Sequence, residues 1–133
     1  MHADIRKAKL EQVQISRTAP QSADQSTTDS YAPIPESQLD ATRHNRVLYV
    51  LTETGTDPID AKIQGRIKDD DGNFSSWEDA TGTDAAKTNV SDATVVMQPD
   101  EVLYDQYRLA VASNGAGTPG DVDQKGRSFH LDT

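Results

Sequence analysis

The run Asp69-Asp70-Asp71-Gly72-Asn73 concentrates the side chains best able to hold an ion. Closely spaced oxygen ligands suit Ca²⁺, which makes Asp69, Asp71 and Asn73 the candidate ligands. An EF-hand loop needs Gly at its sixth place and a bidentate Glu at its twelfth. Counted from Asp69, Gly72 comes fourth and the twelfth place holds Ala80, which cannot ligate. The sequence therefore favours a solvated hairpin turn at Asp71-Gly72 and implies neither a metal nor a cofactor. His2, His44 and His130 share no ligand spacing, and there is no cysteine to complete a site. No Gly-x-Ser-x-Gly, His-Glu-x-x-His or P-loop occurs, and Gly115-Ala116-Gly117 lacks the Lys that a phosphate loop requires. With 22 Asp and Glu in 133 residues, paired carboxylates carry almost no information about glycosidase chemistry. Tyr49, Tyr104, Tyr107 and Trp77 could line a sugar-binding surface, but core positions explain at least two of them better. The expectation is a protein that is not an enzyme.

The elements that position these residues follow from the distribution of apolar side chains. Hydrophobic residues make up 34% and aromatic residues 5%, both low for a globular chain. They concentrate in 46–52, 61–67, 93–97 and 104–112, so part of the chain can bury a core. The formal charge is −9, which argues against nucleic acid or an anionic membrane as partner. Residues 1–45 carry five Lys/Arg against six Asp/Glu, whereas 46–133 carry eight against sixteen. An acidic body is thus expected behind a nearly neutral segment. No apolar run approaches the roughly 18 residues of a membrane span, and the N-terminus lacks a signal-peptide h-region. The direct expectation is a soluble protein that is not secreted.

Residues 1–20 hold Ile5, Leu10, Val13 and Ile15 without a decisive period; Val13/Ile15 fits a strand, and a short helix over 4–11 is an alternative. The stretch 18–37 is rich in Ser, Thr, Gln, Asp and Pro and cannot offset its ordering entropy alone. Residues 1–45 are accordingly expected to form an extended arm, separable from a body over 46–133. Its anchors to a partner would be Ile5, Leu10, Val13, Ile15, Tyr31, Ile34 and Leu39. Within the body, Arg46–Glu53 reads as an inner strand and Ala61–Ile67 as an alternating one. Gly65 marks a bulge or a close neighbour. A returning strand over 74–80 should point Phe74 or Trp77 inward, 81–92 should be a polar loop, and 93–98 a short strand. Tyr107, Leu109 and Val111 alternate with Gln106, Arg108 and Ala110, the pattern of a strand with one buried face. A last strand near 127–132 would bury Phe129 and Leu131. Six short strands separated by turn signals indicate an all-β sandwich or small barrel.

The run Ala93–Gly115 resembles the region joining strands E and F in fibronectin type III and immunoglobulin-like domains. Val95, Met97 and Pro99 match its strand and corner, Tyr107, Leu109 and Val111 its next strand, and Asn114-Gly115 its loop. Asp105-Gln106-Tyr107 looks like the opening of a tyrosine corner, which implies that the Tyr107 hydroxyl bonds nearby backbone. The corner is longer than that pattern, Tyr104 competes with Tyr107, and the expected core Trp is replaced by Trp77 after the hairpin. The implied fold is an immunoglobulin-like β-sandwich, with a jelly roll as alternative. In composition the chain also resembles small virion proteins of tailed bacteriophages, of the capsid decoration or cement type. That resemblance implies binding to the major capsid protein or other virion proteins in many copies or as a homo-oligomer. It also implies location on the capsid surface after synthesis in the host cytoplasm. A neck or tail component, or a carbohydrate- or host-surface-binding module using 69–73 and 115–120, is the alternative.

Overall fold

The computed structural model describes residues 11–18, 31–55, 57–114 and 122–131, with the side chains of 11–18 and of Pro35 outside the description. Ten strands lie in two antiparallel sheets: β1 (Glu11–Thr18), β2 (Ala32–Pro33), β3 (Leu39–Asp40), β4 (Arg46–Glu53), β5 (Ile59–Arg66), β6 (Glu78–Asp79), β7 (Ala86–Val90), β8 (Ala93–Met97), β9 (Gln106–Ser113) and β10 (Val122–Phe129). The first sheet runs β1-β10-β4-β8; the second runs β2-β9-β5-β6, with β3 also on β9 and β7 also on β5. The chain is an all-β sandwich, and no helix among the described residues is long and apolar enough to cross a membrane.

Period-2 burial builds the core. Val47, Tyr49, Leu51 and Glu53 of β4 face inward, as do Ile59, Ala61, Ile63 and Gly65 of β5. They meet Met97, Tyr107, Leu109, Val111 and Val122. Two glycines let rings fill the space between sheets. Tyr104 lies directly on Gly65, where a Cβ would collide with its ring. A Cβ on Gly126 would stand 2.6 Å from Tyr49 Cε1. Burial, reinforced by nearby Tyr107, pushes the Tyr49 phenol well above its ordinary pKa. It therefore stays a neutral donor, bonded to the Ser37 carbonyl at 2.7 Å. The inward Glu53 carboxylate is accommodated because Oε1 accepts the N–H of Gly55 (2.9 Å) and of Asp92 (3.0 Å).

The tyrosine corner is present. The Tyr107 hydroxyl accepts the backbone N–H of Leu103 (2.8 Å) and of Tyr104 (3.2 Å), and Tyr104 packs edge-on against it with ring centres 5.7 Å apart. Tyr107→Phe leaves both amides without that acceptor. We expect a loss of about 1–3 kcal/mol, read as a lower urea midpoint with an unchanged slope.

The structure departs from the expected boundary at residue 45. Ile34, Leu39 and Ala41 belong to the core, and Ile34 and Leu39 are 1% and 0% exposed. Strands β2 and β3 pair with the two ends of β9. Between them a 3₁₀ turn at Pro35–Ser37 lifts the backbone away, and the gap is closed locally. Ile34 N–H donates to the Leu109 carbonyl (2.9 Å), and Leu109 N–H donates to Ser37 Oγ (2.8 Å). One hydroxyl thus stands in for a ladder carbonyl. Two well-placed apolar side chains suffice to dock a polar segment when its backbone bonds are also met.

Other expectations shift. The stretch 81–92 contains β7, paired to β5. The return after the hairpin is only β6 plus an isolated Lys68–Phe74 bridge. β10 begins at Val122 and points Val122, Gln124, Gly126 and Ser128 inward, while Leu131 is exposed. The two apolar residues that suggested the last strand lie past its buried face.

Candidate functional site

The outer face of the second sheet carries the most organised exposed constellation. Alternation turns Lys62, Gln64 and Arg66 of β5 outward, and Gln106 and Arg108 of β9 beside them. Gln64 sits opposite Arg108, and Arg66 opposite Gln106. Each arginine donates its Nε–H to the glutamine across from it: Arg66 to Gln106 Oε1 and Arg108 to Gln64 Oε1, both at 2.9 Å. Over this block the β5–β6 connection lays two aromatic rings. Arg66 stacks 4.0 Å from the centre of Phe74 and 4.4 Å from that of Trp77, and Arg108 lies 4.2 Å from Trp77. Farther along, Lys62 lies 4.1 Å over Tyr31. The face is thus a ladder in which cations alternate with rings.

Its electrostatics are unusual for so acidic a chain. Among the described residues no carboxylate forms an ion pair with Arg66 or Arg108. Asp79 on the adjacent strand β6, opposite Gln64, is engaged elsewhere. Its carboxylate receives Lys62 Nζ at 3.1 Å and Gln64 Nε2 at 3.2 Å. Burial pushes the Asp79 carboxyl up, but those bonds outweigh it and hold it below the ordinary carboxylate range. Burial, then the charge of Arg66, draws Arg108 below the usual guanidinium value. Two like charges therefore share one ring without a paired carboxylate among the described residues.

The sequence-derived candidates fall in different places. Tyr31 is half-buried on this face beside Lys62. Ile34 and Leu39 are sealed in the chain's own core and offer no contact surface. Val13 and Ile15 lie in β1, which pairs along its whole length with β10; their side chains, like Ile5 and Leu10, lie outside the described residues. Asp69, Asp71 and Asn73 form the exposed hairpin tip. Asp69 Oδ1 accepts the N–H of Asp71 and of Asn73, each at 2.9 Å, and Gly72 takes a left-handed φ of 88°. Among the described residues no group of three or more His, Asp or Glu is placed to hold a metal. The loop 115–120 is not among the described residues. Of Phe74 and Trp77, one of them expected inward, neither is buried, and both stack on the outer face. The missed signal was Arg and Gln at the outward positions of two adjacent strands, followed by two aromatics after a tight turn.

A concavity of about 390 Å³ lies elsewhere, between Asn45–Val47 and Gln98–Val102, with Asp84 at its wall. Two of its charged groups are occupied locally: Asp84 pairs with Lys87 at 2.9 Å, and Arg46 Nη1 donates to the Asn45 carbonyl.

No family model matches the sequence, and neither does any curated protein. Solved structures of similar shape include PirA, 15% identical, with 89% of this chain and 93% of that one covered at a TM-score of 0.48. Another is the Clostridium thermocellum xylanase 10B fragment with its CBM22-1 and GH10 modules, complexed with xylohexaose. It is 9% identical, with 90% and 25% covered, at 0.49. A third is a capsid structure of Helicobacter pylori bacteriophage KHP30, 10% identical, with 90% and 87% covered, at 0.39. These are likenesses of chain path alone.

Proposed function

We propose that the chain is a non-enzymatic structural protein of a virion that decorates or cements an assembled shell. The supporting observation is the outer face of the second sheet. Trp, Arg, Phe and Tyr gather there in partly exposed, mutually stacked positions, the composition of energetically dominant contact patches. Many weak copies of such a contact, repeated over a lattice, add up to firm attachment. Binding assembled subunits and not isolated ones would stabilise the shell by mass action. The acidic chain, with its −9 charge, would remain soluble until docked.

Aromatic rings on a sheet face also suit a carbohydrate-binding module, and the exposure of Phe74, 37%, favours that second reading. Against it, each ring is already engaged by a cation, Tyr31 by Lys62 and both Phe74 and Trp77 by Arg66. Sedimentation of full-length protein with assembled particles, and separately with unassembled shell protein, tests the proposal. Pelleting with particles alone is the expected result. Failure to pellet, together with retention on a glycan column, overturns it.

A further inference from the structure

The guanidinium pair points to the chemistry of what docks there. Arg66 and Arg108 each spend one N–H on a glutamine and a flat surface on Trp77. That arrangement fixes both forks while assigning their terminal nitrogens no carboxylate among the described residues. Holding two guanidiniums side by side costs electrostatic energy, which an incoming anion would offset. A planar fork matches a carboxylate in two parallel hydrogen bonds. Both guanidinium carbons lie within 4.4 Å of one ring centre. Carboxylates at alternate positions of an extended chain, about 7 Å apart, can therefore reach both.

We infer that the Arg66–Trp77–Arg108 cluster is the docking site for an extended acidic polypeptide segment, whose carboxylates the two guanidiniums clasp. The inference rests on the shell-binding reading and names the surface chemistry of the partner. Gln64 and Gln106 hold the forks in place, and Trp77 stacks against both. Because the protein as a whole is strongly acidic, general charge attraction works against such a ligand. Any binding therefore has to come from these specific groups.

Trp77 is the only tryptophan, so its emission reports on the site directly. Titration of the full-length protein with a short polyglutamate peptide should change that emission saturably, and added salt should weaken the effect. A labelled peptide followed by anisotropy gives the affinity independently of the ring. Arg66→Gln and Arg108→Gln are each expected to weaken it about tenfold or more. Arg108→Lys, which keeps charge but loses the fork, should lose less. Circular dichroism establishes that each variant is folded; should Arg66→Gln not fold, the two Arg108 variants decide. Unchanged emission at millimolar peptide, or a double Arg variant that binds like the parent, overturns the inference. So does binding of oligogalacturonate or inorganic phosphate where the peptide fails, since the face would then serve an acidic sugar or a small anion. Peptide binding without shell sedimentation keeps this site and overturns the shell reading. Shell binding that Arg108→Gln leaves untouched does the reverse.

Discussion

A chain that starts at Ala41 should show no cooperative unfolding transition, and Leu39→Ala in the full-length protein should cost about 2–5 kcal/mol. The reason lies in what residues 31–40 supply. Ile34 and Leu39 are fully buried, Ser37 satisfies Leu109 N–H, and the Ser37 carbonyl accepts the buried Tyr49 hydroxyl. Truncation at Ala41 therefore opens a cavity and strands a phenol and an amide in the core at once. Each stranded polar group costs about 1–3 kcal/mol beyond the lost apolar contact. Against a typical domain stability of about 5–15 kcal/mol, that combination is decisive. Urea denaturation followed by far-UV circular dichroism measures both variants. A normal transition for the truncated chain would show that the segment merely rests on the sandwich.

Gly126→Val should be nearly as damaging, and Gly126→Ala intermediate. The added Cβ meets Tyr49 Cε1 at 2.6 Å and Cδ1 at 2.8 Å. Tyr49 cannot swing aside, because it is 0% exposed and its hydroxyl is tied to Ser37. Overpacking of this kind costs about 1–3 kcal/mol for modest intrusions, and valine intrudes further. A double variant with Tyr49→Phe tests the cause. If the ring's tether is what makes the clash costly, the two losses will fall short of additive. Fully additive losses would point to β10 backbone strain instead.

These two sites also show where the sequence was legible and where it was not. β4 announces itself as a continuous apolar run, β5 and β9 through alternation, and Asp71-Gly72 and the tyrosine corner through local turn chemistry. The inward residues of β10 are Val122, Gln124, Gly126 and Ser128, a set with almost no hydrophobic signature. They fit because Tyr49 from the facing strand supplies the volume that Gly126 lacks. That is a tertiary fact, invisible to any window along the chain. β7 is hidden for a similar reason, since only Val90 of its five residues is buried. At residues 31–40 composition misled: two leucine-sized anchors and one hydroxyl outweigh a polar average. On the outer face, Arg66 and Arg108 looked like ordinary solvated positions until Trp77 was seen folded over them.

The strand order has a consequence for how this protein is made. Register places Glu11 opposite Phe129 and Thr18 opposite Val122, so the first of the described strands pairs with the last of them. β4 waits for β10 as well, and β2 and β3 wait for β9. Such long-range pairing slows folding, because chain entropy must be lost before the contacts form. The second sheet contains no part of β10, so it is the first sheet that stays open longest. Completion of the first sheet therefore depends on β10, which bridges β1 and β4.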